Sequence, residues 1–305
     1  MKTITPFYKR LIIKGFCFIV LIAVSCVQEL DVDRLPESRQ QLVLMGLFSQ
    51  KDTFAVQLTK SYPITYDSHE LDYKELIYVK NGTIELYENG ILIDTLKHQK
   101  EGYYQAPGFI PSAGKTYAVR ASAPGFEETI HAKSSIPEPV KIHKLDTSQS
   151  NTILYFNDPQ NEKNYYWSFI KRFDYLEYYG PNHPDNWLWI GDHADNDYRY
   201  APAAAQSNLR LILEDSELNH QTGTFEMELT LKARARMGYS ILIIYLANLS
   251  EDLYKYLYTL NQQVKTTGTI LPEPVILYDN VENGIGIFGG YGAAVDTLIF
   301  DERED

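Results

Sequence analysis

The sequence predicts a mainly β protein in two β-rich parts, with one amphipathic helix. Three observations carry this. Short apolar runs recur from Gln40 onward, separated by turn dipeptides such as Asn89-Gly90 and Pro124-Gly125. The 24 Tyr suit a core held by packing, since each buries a large ring and keeps one polar handle. One stretch, Ser250 to Leu260, spaces its apolar residues as a helix does.

The first residues read as an address. Lys9, Arg10 and Lys14 precede an apolar run from Gly15 to Val24. That run is too short to span a bilayer as a helix, which takes about 20 apolar residues. A basic flank, a short apolar stretch and small residues before a cut make a secretory signal peptide. Ala23-Val24-Ser25-Cys26 resembles a bacterial lipobox, so residues 1–25 are expected to be removed and Cys26 to become the acylated first residue. Several acyl chains anchor a protein far better than one. Residues 26–39 follow as an acidic tether carrying Glu29, Asp31 and Asp33.

Leu42 to Phe48 reads as a buried strand and Thr53 to Leu58 as an alternating one. Thr83 to Tyr87 and Ile91 to Leu96 flank Glu88-Asn89-Gly90, a hairpin signal because Asn and Gly both accept positive φ. Gly102-Tyr103-Tyr104, Thr116 to Ala121 and Phe126 to Ala132 add further strands, giving about seven at the spacing of a sandwich. The run Gly102 to Gly125 resembles the immunoglobulin-like and transthyretin-like modules of bacterial surface proteins. Ile136-Pro137-Glu138-Pro139 pairs poorly in a sheet and reads as a linker between a β-sandwich domain, 40–135, and a larger β-rich domain, 140–305.

In the second part, Lys141 to Leu145, Thr152 to Phe156, Tyr165 to Leu176, Asn208 to Leu213 and Thr224 to Ala233 read as strands. Tyr239 to Leu246 is nearly all apolar, as a strand buried on both faces would be. Ser250 is an N-cap, Glu251 and Asp252 suit the positive end of a helix dipole, and Leu253, Tyr256, Leu257 and Leu260 share one face. This places the helix near 251–264. Pro274 to Tyr278, Gly284 to Gly289 and Val295 to Phe300 return to strand.

Charge and cysteines narrow the function classes. Residues 1–25 hold four basic and no acidic side chains, so the remainder carries 24 basic against 40 acidic, net −16. Such a surface argues against nucleic acid and leaves metals, neutral ligands and protein partners open. The two cysteines are Cys17, inside the apolar run, and Cys26, so no disulfide is expected.

Candidate sites are few. Trp187 and Trp189, with Tyr198 and Tyr200, fall in what reads as a long polar and aromatic loop from Gly180 to Pro202. Such rings could anchor sugars or a partner, or fill the core. Asp192, Asp195 and Asp197 could hold Ca²⁺, although the EF-hand glycine and distal Glu are missing. Asn280 to Tyr291 is glycine-rich, but no Lys or helix start follows as a phosphate loop needs. It reads as a turn at Asn283-Gly284 and a strand packed close to another backbone. No Gly-x-Ser-x-Gly is present, and no residue set asks for an enzyme.

Several stretches together resemble the Bacteroidota outer-membrane lipoproteins of domain of unknown function 4249. They are Cys26 with its acidic sequel, Leu42 to Leu47, Gly102 to Phe126, Ser250 to Leu257, Pro272 to Val275 and, most specifically, Asn280 to Gly290. The resemblance implies a lipid-anchored outer-membrane protein, often encoded beside a TonB-dependent receptor, and supplies no catalytic residues. The expected function is a binding or accessory subunit of such a transporter. The alternatives are a stand-alone carbohydrate- or peptide-binding lipoprotein, an envelope-assembly protein and, least of all, a hydrolase.

Overall fold

The computed structural model describes residues 39–62, 77–146, 152–159, 162–175, 187–189, 212–214, 225–229, 239–266 and 275–301. The expected signal peptide, Cys26 and the tether through residue 38 lie outside them. The fold is mainly β with one long helix among the described residues, as the apolar patterning predicts.

The first half supplies β1 (Leu42–Ser49), β2 (Ala55–Lys60), β3 (Thr83–Glu88), β4 (Ile91–Thr95), β5 (Lys97–His98), β6 (Tyr103–Gln105), β7 (Thr116–Ser122) and β8 (Ile130–Ser135). The second supplies β9 (Ile142–Asp146), β10 (Thr152–Phe156), β11 (Tyr165–Tyr175), β12 (Trp187–Trp189), β13 (Ile212–Glu214), β14 (Phe225–Leu229) and β15 (Tyr239–Leu249). Helix α1 (Glu251–Thr266), β16 (Val281–Glu282) and β17 (Ile285–Asp301) close the chain. Among the described residues, a nine-stranded sheet runs β12-β11-β15-β17-β1-β2-β6-β5, with β13 also on β11. A five-stranded sheet runs β16-β8-β7-β3-β4 and a three-stranded one β14-β10-β9.

Local chemistry accounts for many of these elements. In β3 only alternate residues, Ile84 and Leu86, are buried. The β3–β4 turn has positive φ at both central residues, Asn89 at 48° and Gly90 at 84°, as a two-residue hairpin requires. Ser250 caps α1, its Oγ accepting from the Leu253 N–H at 3.4 Å. Glu251 and Asp252 lie in the first helical turn and Lys265 in the last, which suits the helix dipole.

Three apolar clusters hold the layers together. The first joins Leu42, Leu44, Phe48, Val56 and Phe288 of the long sheet to Ile84, Leu86, Tyr117, Val119 and Ile130 of the five-stranded sheet. The second packs Leu154 and Phe156 of β10 on Tyr166, Ile244 and Leu246. The third seats Leu253 and Leu257 of α1 on Tyr165, Ala247, Leu249 and Ile287. β1 is buried on both faces, because Leu42, Leu44 and Phe48 enter the first cluster while Met45 and Leu47 pack against the third.

β17 organises the whole. Its first part pairs parallel with β1, Val43 opposite Ile285 through Ser49 opposite Tyr291. Its remainder pairs antiparallel with β15, Leu249 opposite Tyr291 through Tyr239 opposite Asp301. The expected strands Gly284–Gly289 and Val295–Phe300 are thus one continuous strand, since Gly292 and Ala293 stay extended between them. The regions drawn as separate domains share this strand: Val281 and Phe288 belong to the sandwich core, and β16 is an edge of the sandwich sheet, on β8.

The segment 136–139 is pinned rather than free. Gly114 N–H donates to Ile136 C=O at 2.8 Å and Ile136 N–H to Lys115 C=O at 3.1 Å. Asn248 Nδ2 donates to Glu138 C=O at 3.0 Å. A Cβ on Gly292 would overlap the Pro137 carbonyl oxygen, so glycine lets this strap lie on the sheet. The strand expected at Pro274 to Tyr278 does not form over Val275–Tyr278. There Tyr278 N–H donates to Thr259 Oγ1 at 3.0 Å, which draws the segment along the helix instead.

Candidate functional site

The most specific sequence stretch, Asn280 to Gly290, is built for architecture. Asn280 holds both backbone groups of Phe288. Asn283, with φ at 61°, makes the tight turn between β16 and β17. Gly286 has φ at 130°, and a Cβ there would overlap Leu44 C=O on the paired strand. Phe288 is fully buried, 4.5 Å from the Phe48 ring centre. Gly289 lies under the helix, where a Cβ would come 2.6 Å from Leu253 Cβ. Each fixed residue therefore serves strand, turn or packing, which is the structural reading the sequence suggested.

Of the aromatic candidates, Trp187 and Trp189 are not in a loop but in β12, opposite Tyr175 and Phe173 of β11. Three residues bounded by polar stretches gave no alternation from which to read that strand. Tyr198, Tyr200, Asp192, Asp195 and Asp197 lie outside the described residues. Among the described residues no group of three His, Cys, Asp or Glu converges on a metal-sized site.

The register brings Trp189 into a row that crosses four strands. Trp189 pairs with Phe173, Phe173 with Ile241, and Ile241 with Ile299. Ile299 is 60% exposed and Val295 38% exposed, on the face of β17 that α1 covers farther back, at Ile287 and Gly289. The next row runs Lys171, Ile243, Thr297 and the one after it Phe169, Tyr245, Val295. Beyond the helix, then, the long sheet leaves aliphatic side chains open to solvent.

Between α1, β11 and β13 stands a cluster of tyrosines and ion pairs. The Tyr165 and Tyr254 rings stack with centres 4.2 Å apart. Lys163 Nζ lies 5.2 Å over the Tyr165 ring and 2.7 Å from Glu214 Oε1. Tyr254 donates to Glu214 Oε2 at 3.4 Å. The bond to Glu214, and then Tyr165, hold the Lys163 ammonium well above the usual lysine range. Tyr278 donates to Asp252 Oδ1 at 2.5 Å, with Lys255 Nζ 5.4 Å from its ring centre. Burial, then the bond to Asp252, raise the Tyr278 hydroxyl well above the tyrosine range. Tyr165 and Glu214 arrive from strands distant in the sequence, so no local spacing announces the cluster.

Comparison with known proteins adds the following. A family model described as "Domain of unknown function (DUF4249)" matches residues 28–297. No curated protein matches. Among solved structures, the chain is similar to "Putative membrane anchored protein from Corynebacterium diphtheriae" at 12% identity and a TM-score of 0.21. That alignment covers 81% of this chain and 59% of the other. No helix among the described residues is long and apolar enough to cross a membrane.

Proposed function

The chain belongs to the DUF4249 family, and from that premise we propose that it is a lipid-anchored outer-membrane protein acting as a binding or accessory subunit of a TonB-dependent transporter. The observation that carries this reading is Cys26, set after a short apolar run and ahead of an acidic tether and a β-rich body. The cysteine supplies the anchor, the tether supplies reach, and the body supplies surface for a partner. The exposed Val295 and Ile299 of β17 support the last part.

Crosslinking in cells, followed by affinity purification and mass spectrometry, tests it. A single abundant TonB-dependent receptor in the eluate supports the reading, and its absence removes the transporter part. Cys26→Ser tests the anchor: acyl labelling is lost and the protein leaves the membrane fraction. A second reading is direct carbohydrate or peptide binding, favoured by the row from Trp189 to Ile299. In that case Trp187→Ala and Trp189→Ala weaken binding to a glycan or peptide array while receptor capture is absent.

A further inference from the structure

We propose that the open strand edges of this protein are plugged by its own side chains, and that the plugs keep a second copy of the chain from adding edge to edge. A strand edge with free N–H and C=O groups and apolar neighbours is a template for another strand. Two edges among the described residues carry exposed aliphatic side chains. β4 is the outer strand of its sheet and exposes Ile91, Leu92 and Ile93. β17, once past Tyr291, has β15 on one side and no further pairing with β1 on the other.

Both edges are plugged at particular positions by side chains. On β17, Ala293 N–H donates to Gln50 Oε1 at 3.2 Å, and Gln50 Nε2 donates to Ala293 C=O at 3.0 Å. The side chain of Gln50 thus takes both groups that Ala293 would offer to a neighbouring strand. Alternate residues of a strand point their backbone groups to the same edge, so Thr297 points the way Ala293 does. The Thr297 N–H is taken by Asp296 Oδ1 at 2.8 Å. On β4, Leu96 N–H turns inward to Ile84 C=O at 2.8 Å, which turns Thr95 N–H outward. Asp94 Oδ1 accepts it, again at 2.8 Å. An Asp-Thr pair thus plugs each edge.

The occupant kept out is a copy of the same chain, because the β17 edge is self-complementary apart from its plugs. Antiparallel pairing centred on Thr297 sets Val295 opposite the exposed Ile299 of the copy. It also brings the two Asp296 carboxylates onto diagonal positions, about 7–8 Å apart, where like charges repel. The plug therefore both occupies the donor and charges the edge.

Native mass spectrometry of the full chain in mild detergent, over a concentration series, tests this. The unaltered chain stays monomeric, and Gln50→Ala/Asp296→Ala raises the dimer fraction at least tenfold at equal concentration. Adding Ile299→Lys to that variant returns it to monomer. The proposal is overturned if the folded double variant remains monomeric. It is equally overturned if Ile299→Lys leaves the new dimer intact, or if the unaltered chain forms a dimer that Ile299→Lys breaks. Should the double variant fail to fold, Asp94→Ala on β4 decides: dimers that Leu92→Lys reverses support the proposal, and monomers overturn it.

Discussion

The carboxamide of Asn280 clasps both backbone groups of Phe288, accepting from its N–H at 2.9 Å and donating to its C=O at 2.8 Å. At this point β17 already has β1 on one edge, whereas β15 begins to pair only at Tyr291. The side chain stands in for the missing strand. Asn280→Ala leaves a half-buried donor and acceptor unpaired, and the expected loss is about 2–3 kcal/mol. Urea unfolding followed by circular dichroism measures it. Asn280→Asp keeps the acceptor and lacks the donor, so its midpoint falls between the two.

Two glycines with positive φ separate backbone conformation from crowding. Gly286, at φ 130°, sits where a Cβ would overlap Leu44 C=O; Gly90, at φ 84°, has nothing within 4 Å. Gly90→Ala carries only the left-handed penalty, about 1–2 kcal/mol. Gly286→Ala must also part the β1–β17 pair, so a loss above about 4 kcal/mol or an insoluble product is expected. Soluble yield and thermal midpoint of the two variants side by side give the comparison. Equal effects would mean that the close approach of β17 to β1 contributes nothing.

What could be read from the sequence was what short stretches decide for themselves. The Asn89-Gly90 hairpin and the Ser250-capped helix rest on neighbouring residues, and both formed. The parallel union of β1 with β17 has no local signal, because neither strand carries a mark of its partner. Gly292-Ala293-Ala294 reads as an interruption since small residues weaken a strand pattern, yet Gly292 is what lets Pro137 lie above. Pro274 to Tyr278 reads as a strand by its apolar residues, whereas Tyr278 is tied to the helix through Thr259 and Asp252. Among the site residues, Trp187 and Trp189 stand out by composition alone. The Tyr165–Tyr254 stack depends on a contact between β11 and α1 that no spacing announces.

Sharing of β17 predicts how the chain behaves when cut. A fragment of residues 40–139 retains β1 to β8 but lacks Val281 and Phe288, which complete its core. Removing a buried Phe side chain alone costs about 3–5 kcal/mol, and the fragment also loses a whole strand partner of β1. It is expected to show no fixed near-ultraviolet circular dichroism and to aggregate. Co-expression with residues 275–301 should restore soluble protein in part. A cooperative melt from the isolated fragment would show instead that the sandwich folds without its last strand.

Tyr278 predicts a loss of stability on the alkaline side. Its hydroxyl is half-buried and donates to Asp252, and both conditions favour the neutral form, so its folded pKa lies above its ordinary value. A group raised in this way contributes stability that is fully present below its unfolded pKa of about 10. The contribution falls as pH rises through that value, because the unfolded chain releases the proton first. Tyr104, Tyr117 and Tyr256 are raised in the same direction, chiefly by burial, so the unaltered chain should lose stability steadily above pH 10. Tyr278→Phe removes one contributor. Its melting point should be lower than that of the unaltered chain at pH 8, where the bond to Asp252 is lost, and the gap should narrow by pH 11. Thermal melts at the two pH values measure this, and a gap that stays constant would show that Tyr278 titrates alike in the folded and unfolded chains.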